Sequence, residues 1–220
     1  MVMIGASILS ANYGHMAEEV RKAEEAKVDF FHVDIMDGHF VPNLSMGLKV
    51  PEYLKDITHG TDIDVHLMVE NPDIFIPKIA EASDMISFHA ESTKYLFRTV
   101  DLIADHGAKP IVALNPSTGL TNIEYVLENL YGVLIMTVEP GFSGQSFINP
   151  MLKKIDKLKN LILTEGYDTK IFVDGGINTT TAPKVVESGA DALVAASAIY
   201  GKDDVVKAVQ DLRASANFKI

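Results

Sequence analysis

Histidine and aspartate recur at alternate positions in this chain. His32-Val33-Asp34 is followed by Asp64-Val65-His66 and by Ser87-Phe88-His89, and Asp174 closes Ile171-Phe172-Val173. Imidazole nitrogens and carboxylate oxygens are ligands for divalent cations, and carboxylates also carry protons. Taken singly, each is as readily a satisfied polar core residue. Taken together they are costly, because unpaired buried charges cost several kcal/mol each and no Lys or Arg stands at these positions. One divalent cation offsets that cost. His32, Asp34, His66 and Asp174 offer two nitrogens and two oxygens, a set that suits Zn²⁺ first and also Fe²⁺, Mn²⁺ or Co²⁺. The chain has no cysteine, which excludes a thiolate nucleophile, a disulfide frame and a zinc ribbon, so any metal sits on His, Asp or Glu. His15, His59 and His106 are expected on solvated surfaces and His39 in the loop 37–43. His89 is expected behind the ligands or against substrate.

Side chains alternate faces along a strand, so residues two apart reach one cavity only if strands carry them there. Strand-like apolar runs fall at 3–9, 30–35, 63–68, 85–89, 109–114, 133–138, 169–173 and 192–195. Helical faces lie between them: Met16, Val20, Ala23 and Ala26; Leu152, Ile155, Leu158 and Ile162; Val205, Ala208, Val209 and Leu212. Start signals at Asn71-Pro72-Asp73, Asn149-Pro150 and Thr180, and stops at Gly107, Gly166 and Gly189, agree with them. Pro51 and Pro183 leave open the boundaries of the helices near 45–55 and 180–188. Eight strand–helix units at roughly 27 residues each predict a single-domain α/β (β/α)8 barrel, a TIM barrel spanning residues 1–220. An open doubly wound sheet would need a glycine-rich turn after its first strand, and Ile8-Leu9-Ser10-Ala11-Asn12 has none. In a barrel, His32, Asp34, Met36, Asp64, His66, Met68, Ser87, His89 and Asp174 face inward and open at the C-terminal end into one site.

Turns rich in glycine or small residues follow the last three strands: Glu139-Pro140-Gly141-Phe142-Ser143-Gly144-Gln145-Ser146, Asp174-Gly175-Gly176-Ile177-Asn178 and Ala195-Ala196-Ser197-Ala198. In this position backbone N–H groups receive a phosphate, and glycine permits close approach. A phosphorylated substrate is therefore expected. Nineteen basic against thirty acidic residues, a formal charge of −11, exclude non-specific binding to nucleic acid or to an anionic membrane. The N-terminal segment has no basic region leading into an apolar stretch, and no run reaches membrane-spanning length, so a cytoplasmic protein is expected.

His32-Val33-Asp34-Ile35-Met36-Asp37-Gly38-His39-Phe40-Val41-Pro42-Asn43, with Ser7-Ile8-Leu9-Ser10 before it and Asp64-Val65-His66-Leu67-Met68-Val69 after it, closely resembles the ribulose-phosphate 3-epimerase family. Met136-Thr137-Val138-Glu139-Pro140-Gly141-Phe142, Gly144-Gln145-Ser146-Phe147 and Val173-Asp174-Gly175-Gly176 extend the resemblance to about Tyr200. It implies a (β/α)8 barrel that interconverts D-ribulose 5-phosphate and D-xylulose 5-phosphate with one divalent ion per chain, and that self-associates. It also implies His32, Asp34, His66 and Asp174 as metal ligands, with Asp34 and Asp174 as paired acid and base. Ser7, His66, Met36, Met68 and Met136 would meet substrate. Gly141, Gly144, Gln145, Gly175, Gly176, Ala196 and Ser197 would line the phosphate cradle.

Inverting a carbon beside a ketone needs a proton removed from one face and returned to the other, which two aspartates supply. The 38–43 loop is expected to close over the site and keep water off the intermediate. Two departures stand in the cradle: Ser143-Gly144-Gln145 replaces Gly-Gly-Gln, and Ala196-Ser197 replaces Gly-Ser. If either position needs positive φ, the added Cβ costs on the order of 1 kcal/mol. A D-allulose 6-phosphate 3-epimerase is the alternative these departures raise. A metal-assisted sugar-phosphate lyase or aldolase is a further one, and the absence of an inward strand-end Lys argues against its Schiff-base form.

Overall fold

The computed structural model describes residues 1–217, so residues 218–220 of the expected domain lie outside the described residues. The strands β1 (Met3–Ser7), β2 (Phe30–Met36), β3 (Asp62–Met68), β4 (Met85–His89), β5 (Lys109–Leu114), β6 (Gly132–Met136), β7 (Lys170–Asp174) and β8 (Ala192–Ala195) pair in parallel and in chain order to close a barrel. Helices α1 (Met16–Glu25), α2 (Lys49–Ile57), α3 (Ile76–Ile79), α4 (Leu96–Asp105), α5 (Met151–Glu165), α6 (Ala182–Glu187), α7 (Ser197–Tyr200) and α8 (Val205–Ala216) complete it. The expected (β/α)8 architecture is present.

The local boundaries depart from the sequence pattern where a side chain or a proline redirects the backbone. β1 stops at Ser7, whose hydroxyl caps a 3-10 turn over Ile8–Ser10, rather than running on to residue 9. The helix begun at Asn71-Pro72 is a 3-10 turn followed by the short α3. Pro77 has no N–H to give to the Asp73 carbonyl, so a continuous helix is broken there. α2 starts at Lys49 because Ser45 is held in the loop by Met36 N–H and the Asp34 carbonyl; Pro51 then sits in its first turn, as Pro183 does in α6. After β5 no α-helix forms; two 3-10 turns, Leu120–Asn122 and Leu127–Asn129, replace it, while β8 is followed by both α7 and α8. Ile123, Val126, Leu127 and Leu130 still fall on one buried side, so the burial pattern of a helix survives without its hydrogen bonds. α5 keeps the predicted face, with Ile155, Leu158 and Ile162 buried, and ends at Gly166 (φ 75°), whose N–H reaches the Ile162 carbonyl.

Two cores result from strand alternation. Outward residues such as Val33, Val65, Ile86, Val133 and Val173 pack under the helices. Inward, Phe30 and Phe172 plug the floor edge to face, with ring centroids 5.8 Å apart. Glycines make that plug possible: a Cβ on Gly5 would lie 2.3 Å from the Phe30 ring, and one on Gly132 2.6 Å from the Phe172 ring. Gly5→Ala is therefore expected to lower stability by about 1–3 kcal/mol through overpacking. Thermal melting of Gly5→Ala and of Gly5→Ala with Phe30→Leu checks this, with the double variant recovering most of the loss.

Candidate metal centre and active site

The β2–β3 register sets His32 beside Asp64 and Asp34 beside His66. Asp34 Oδ1 lies 3.3 Å from His32 Nε2 and 3.2 Å from His66 Nδ1, and these two nitrogens are 3.3 Å apart. Asp174 Oδ2 approaches His32 Nε2 to 4.0 Å from β7, and one ligand atom from each of the four residues lies within 4.8 Å of the others. Donors about 2.0–2.1 Å from a tetrahedral Zn²⁺ stand about 3.3–3.4 Å apart, so the His32, Asp34 and His66 spacings fit one ion, with Asp174 slightly wide. Both histidines are fully buried and the Asp34 side chain nearly so, whereas the Asp174 side chain is 18% exposed towards the barrel mouth. The residues present fit a divalent cation.

Partners behind this set orient it. His32 Nδ1 is 2.8 Å from Asp64 Oδ2, so it donates its proton there and turns Nε2 towards the cluster, the nitrogen that a cation would take in place of a proton. Ser87 Oγ donates to the other Asp64 oxygen at 2.8 Å, and Ser7 Oγ donates to Asp34 Oδ2 at 2.7 Å. His66 Nε2 meets His89 Nε2 at 2.9 Å, which places His89 behind a ligand, one of its two expected positions. The role of Asp64 was not assigned from the sequence. Its signal was there in the Asp64-Val65-His66 alternation, but which histidine it serves depends on the register.

Burial disfavours charge on His32, yet the Asp34 and Asp64 carboxylates outweigh it and hold its pKa well above the usual imidazole value. Burial likewise works against the Asp34 carboxylate, and His32 and His66 outweigh it, holding its pKa well below the usual range. Asp174 goes the other way: burial, with the Asp34 charge adding to it against the pull of His32 and His66, pushes its pKa up to about 6. Burial, and then the neighbouring His66, bring His89 down to about 4 despite Glu91, so it is neutral near pH 7.

The Asp174 shift has a signed consequence for stability. Without a cation the folded chain binds more protons than the unfolded one between about pH 4 and pH 6. Stability then falls as pH rises through that window, by on the order of 2–3 kcal/mol, and stays lowered above it. Asp174→Asn, stripped of metal, is expected to melt higher than the parent at pH 7 and level with it near pH 4. Melting curves in chelator at the two pH values check this.

Above the cluster a cavity of about 530 Å³ opens at the C-terminal ends of the strands. Ser7, Asp34, Met36, Met68, Met136 and Asp174 line its deep side. Gly141, Gly144, Gln145, Gly175, Gly176, Ala196 and Ser197 line the other, so every expected cradle residue is brought together. His32 and His66 lie beneath, fully buried and outside that lining; His66 was also expected against substrate. The Gln145 amide is spent on its own loop, donating to the Glu139 and Phe142 carbonyls at 2.6 and 2.9 Å.

Gly175 and Gly176 have φ of 112° and 65°, and a Cβ there would lie 2.8 and 2.9 Å from the Val138 and Phe147 nitrogens. Neither Ser143 nor Ala196 is among the positive-φ residues, so the strain those departures threatened does not arise. Asn178, Thr179, Thr180 and Lys202, not assigned to the site from the sequence, also line the cavity. The 38–43 loop lies against it: Asp37 accepts from the N–H groups of His39, Phe40 and Glu70 at 2.8–2.9 Å, and Asn43 Nδ2 donates to the Gly141 carbonyl at 2.8 Å. His15, His59, His39 and His106 are on the surface, as expected.

Comparison with known proteins bears on what such a site is for. A family model described as the ribulose-phosphate 3 epimerase family matches residues 3–200. A Methanocaldococcus jannaschii protein named ribulose-phosphate 3-epimerase is 62% identical over 216 residues, covering 98% of this chain and 92% of its own length. A Bacillus subtilis protein of the same name is 45% identical over 217 residues, covering 98% of this chain and 100% of its own. A solved 3-hexulose-6-phosphate synthase superposes with a TM-score of 0.73 at 20% identity, over 98% of this chain and 99% of its own, which is a likeness of fold.

Proposed function

Because the chain belongs to the ribulose-phosphate 3-epimerase family, we propose that it is an isomerase interconverting D-ribulose 5-phosphate and D-xylulose 5-phosphate by inverting carbon 3. The observation that carries the mechanism is the pair Asp34 and Asp174, which reach one cavity from β2 and β7 against a wall of methionines. One aspartate takes the C3 proton from one face, and the other returns a proton to the opposite face of the flat enediolate. Met36, Met68 and Met136 bring no competing proton donor to that plane. Ser7, donating to Asp34 Oδ2, holds that carboxylate in place and ionised. His32, Asp34, His66 and Asp174 would hold a divalent cation, with Zn²⁺ favoured by the spacing of the first three, and it would supply Lewis-acid stabilisation of the charge that develops on the ketone oxygen.

Backbone N–H groups around Gly144, Gly176 and Ser197 hold the phosphate, the last at the start of α7, with Lys202 at the cavity edge. The loop 38–43, latched by Asn43 to Gly141, keeps water from the intermediate. A pentulose phosphate is favoured over a hexulose phosphate because the relatives at 62% and 45% identity are named ribulose-phosphate 3-epimerase, and neither Ser143 nor Ala196 takes a positive φ in the cradle.

Among the described residues no helix is long and apolar enough to cross a membrane. A cytoplasmic setting fits a substrate class whose charge keeps it from crossing a bilayer. Self-association has an apolar surface available in Tyr95, Phe97 and Tyr125, which are 62%, 51% and 84% exposed. Incubation with D-ribulose 5-phosphate in D2O tests the reading. Xylulose 5-phosphate carrying deuterium at C3 is expected; shorter fragments would mean a lyase, and an unchanged sugar would mean neither activity.

A further inference from the structure

His89 and Glu91 take no part in the proton transfers above, yet they sit directly behind a ligand. His89 is fully buried, and its ring lies edge to edge with that of His66, with centroids 5.0 Å apart, planes 24° apart and the two Nε2 atoms 2.9 Å apart. On its far side His89 Nδ1 makes no hydrogen bond among the described residues, and the carboxylate oxygen it faces, Glu91 Oε2, stands 3.4 Å away. Glu91 is itself fixed, accepting from the Asn115 N–H at 2.9 Å and from the Thr118 hydroxyl, both in the loop after β5. The Phe40 ring closes over His89, with centroids 4.7 Å apart.

We infer that His89 is a positioning residue: aligned by Glu91, it accepts the Nε2 proton of His66 and so leaves His66 Nδ1 bare towards the cation site. His66 Nδ1 faces Asp34 Oδ1 at 3.2 Å and His32 Nε2 at 3.3 Å, so a proton there would occupy the place of a cation. A neutral His66 that binds through Nδ1 therefore carries its proton on Nε2. Two N–H groups cannot face each other at 2.9 Å, so His89 Nε2 must be the acceptor and its own proton must lie on Nδ1, facing Glu91. His32 is served in the same way but from its other nitrogen, through Nδ1 and Asp64. The two histidine ligands thus present opposite ring nitrogens, each set by a different second partner.

The inference rests on the four-residue set taking a cation, and the experiment separates the two. Metal-free protein is titrated with Zn²⁺ in competition with a coloured chelator, using the parent, His89→Phe and His89→Gln. Phe keeps the ring against Phe40 but cannot accept a proton, and Gln offers an amide oxygen that can. The parent is expected to bind about one ion, His89→Phe to bind it about 10- to 100-fold more weakly, and His89→Gln to stay within a few-fold of the parent. Nitrogen NMR of the Zn²⁺-loaded parent, which needs no variant to fold, is expected to place the His89 proton on Nδ1. Parent-like affinity in His89→Phe, equal losses in both variants, or a His89 proton on Nε2 overturns the positioning role while leaving the metal reading intact. A parent that takes up no Zn²⁺ overturns both.

Discussion

Asp174→Asn and Asp34→Asn are each expected to lower kcat by about 10²- to 10⁴-fold, the range that a positioned acid or base contributes. The amide is nearly isosteric and keeps an oxygen for the cation, so the loss falls on proton transfer. Its signature is asymmetric. With one aspartate left, the variant still exchanges the C3 proton of one epimer with solvent but cannot deliver a proton to the other face. Each variant in D2O is therefore expected to label one of the two pentulose phosphates without inverting it, and Asp34→Asn and Asp174→Asn are expected to label opposite ones. Proton NMR on both sugars, with metal content measured alongside, reads this directly. Exchange into both epimers by either variant would remove that residue from the acid–base pair.

Stripping the cation is expected to be of similar size. Chelation should lower turnover at least about 10³-fold, because the Lewis acid that holds the enediolate charge is lost while buried carboxylates and imidazoles are left to face one another. Adding back Zn²⁺, Fe²⁺, Mn²⁺ or Co²⁺ singly should restore activity to degrees that identify the preferred ion. It should also raise the melting temperature, since a ligand at about 1,000 times its Kd adds about 4 kcal/mol to folding. His66→Ala should hold well under the parent's one ion per chain by elemental analysis. Loading should weaken as pH falls through about 6, because Asp174, with its pKa at about 6 before metal binds, must lose its proton to ligate. Full turnover in a preparation shown to be metal-free would remove the cation from the mechanism.

Asp64 lay on the inward face with His66, but its partner is His32 on the neighbouring strand, across a register that sequence spacing does not report. His89 was legible as inward, yet its link to His66 follows from the offset of β4, where His66 stands opposite Ser87 rather than His89. The 120–130 segment has the apolar spacing of a helix in Ile123, Val126, Leu127 and Leu130, but it forms 3-10 turns, because burial selects the spacing and not the hydrogen-bond pattern.

By itself the chain's order of residues determined the eight-unit barrel, its inward face, the His32, Asp34, His66 and Asp174 set and the glycine-rich turns. These follow from periods of two and 3.6 residues and from turn chemistry, which are properties of neighbours in the chain. The tertiary structure alone decided that these four side chains lie within 4.8 Å of one another, that Asp64 meets His32 while His89 meets His66, and that neither Ser143 nor Ala196 takes a positive φ in the cradle. Those outcomes depend on the register between parallel strands and on how closely backbones pack at the barrel mouth. Both are set by contacts between residues far apart in sequence, and no local period encodes them.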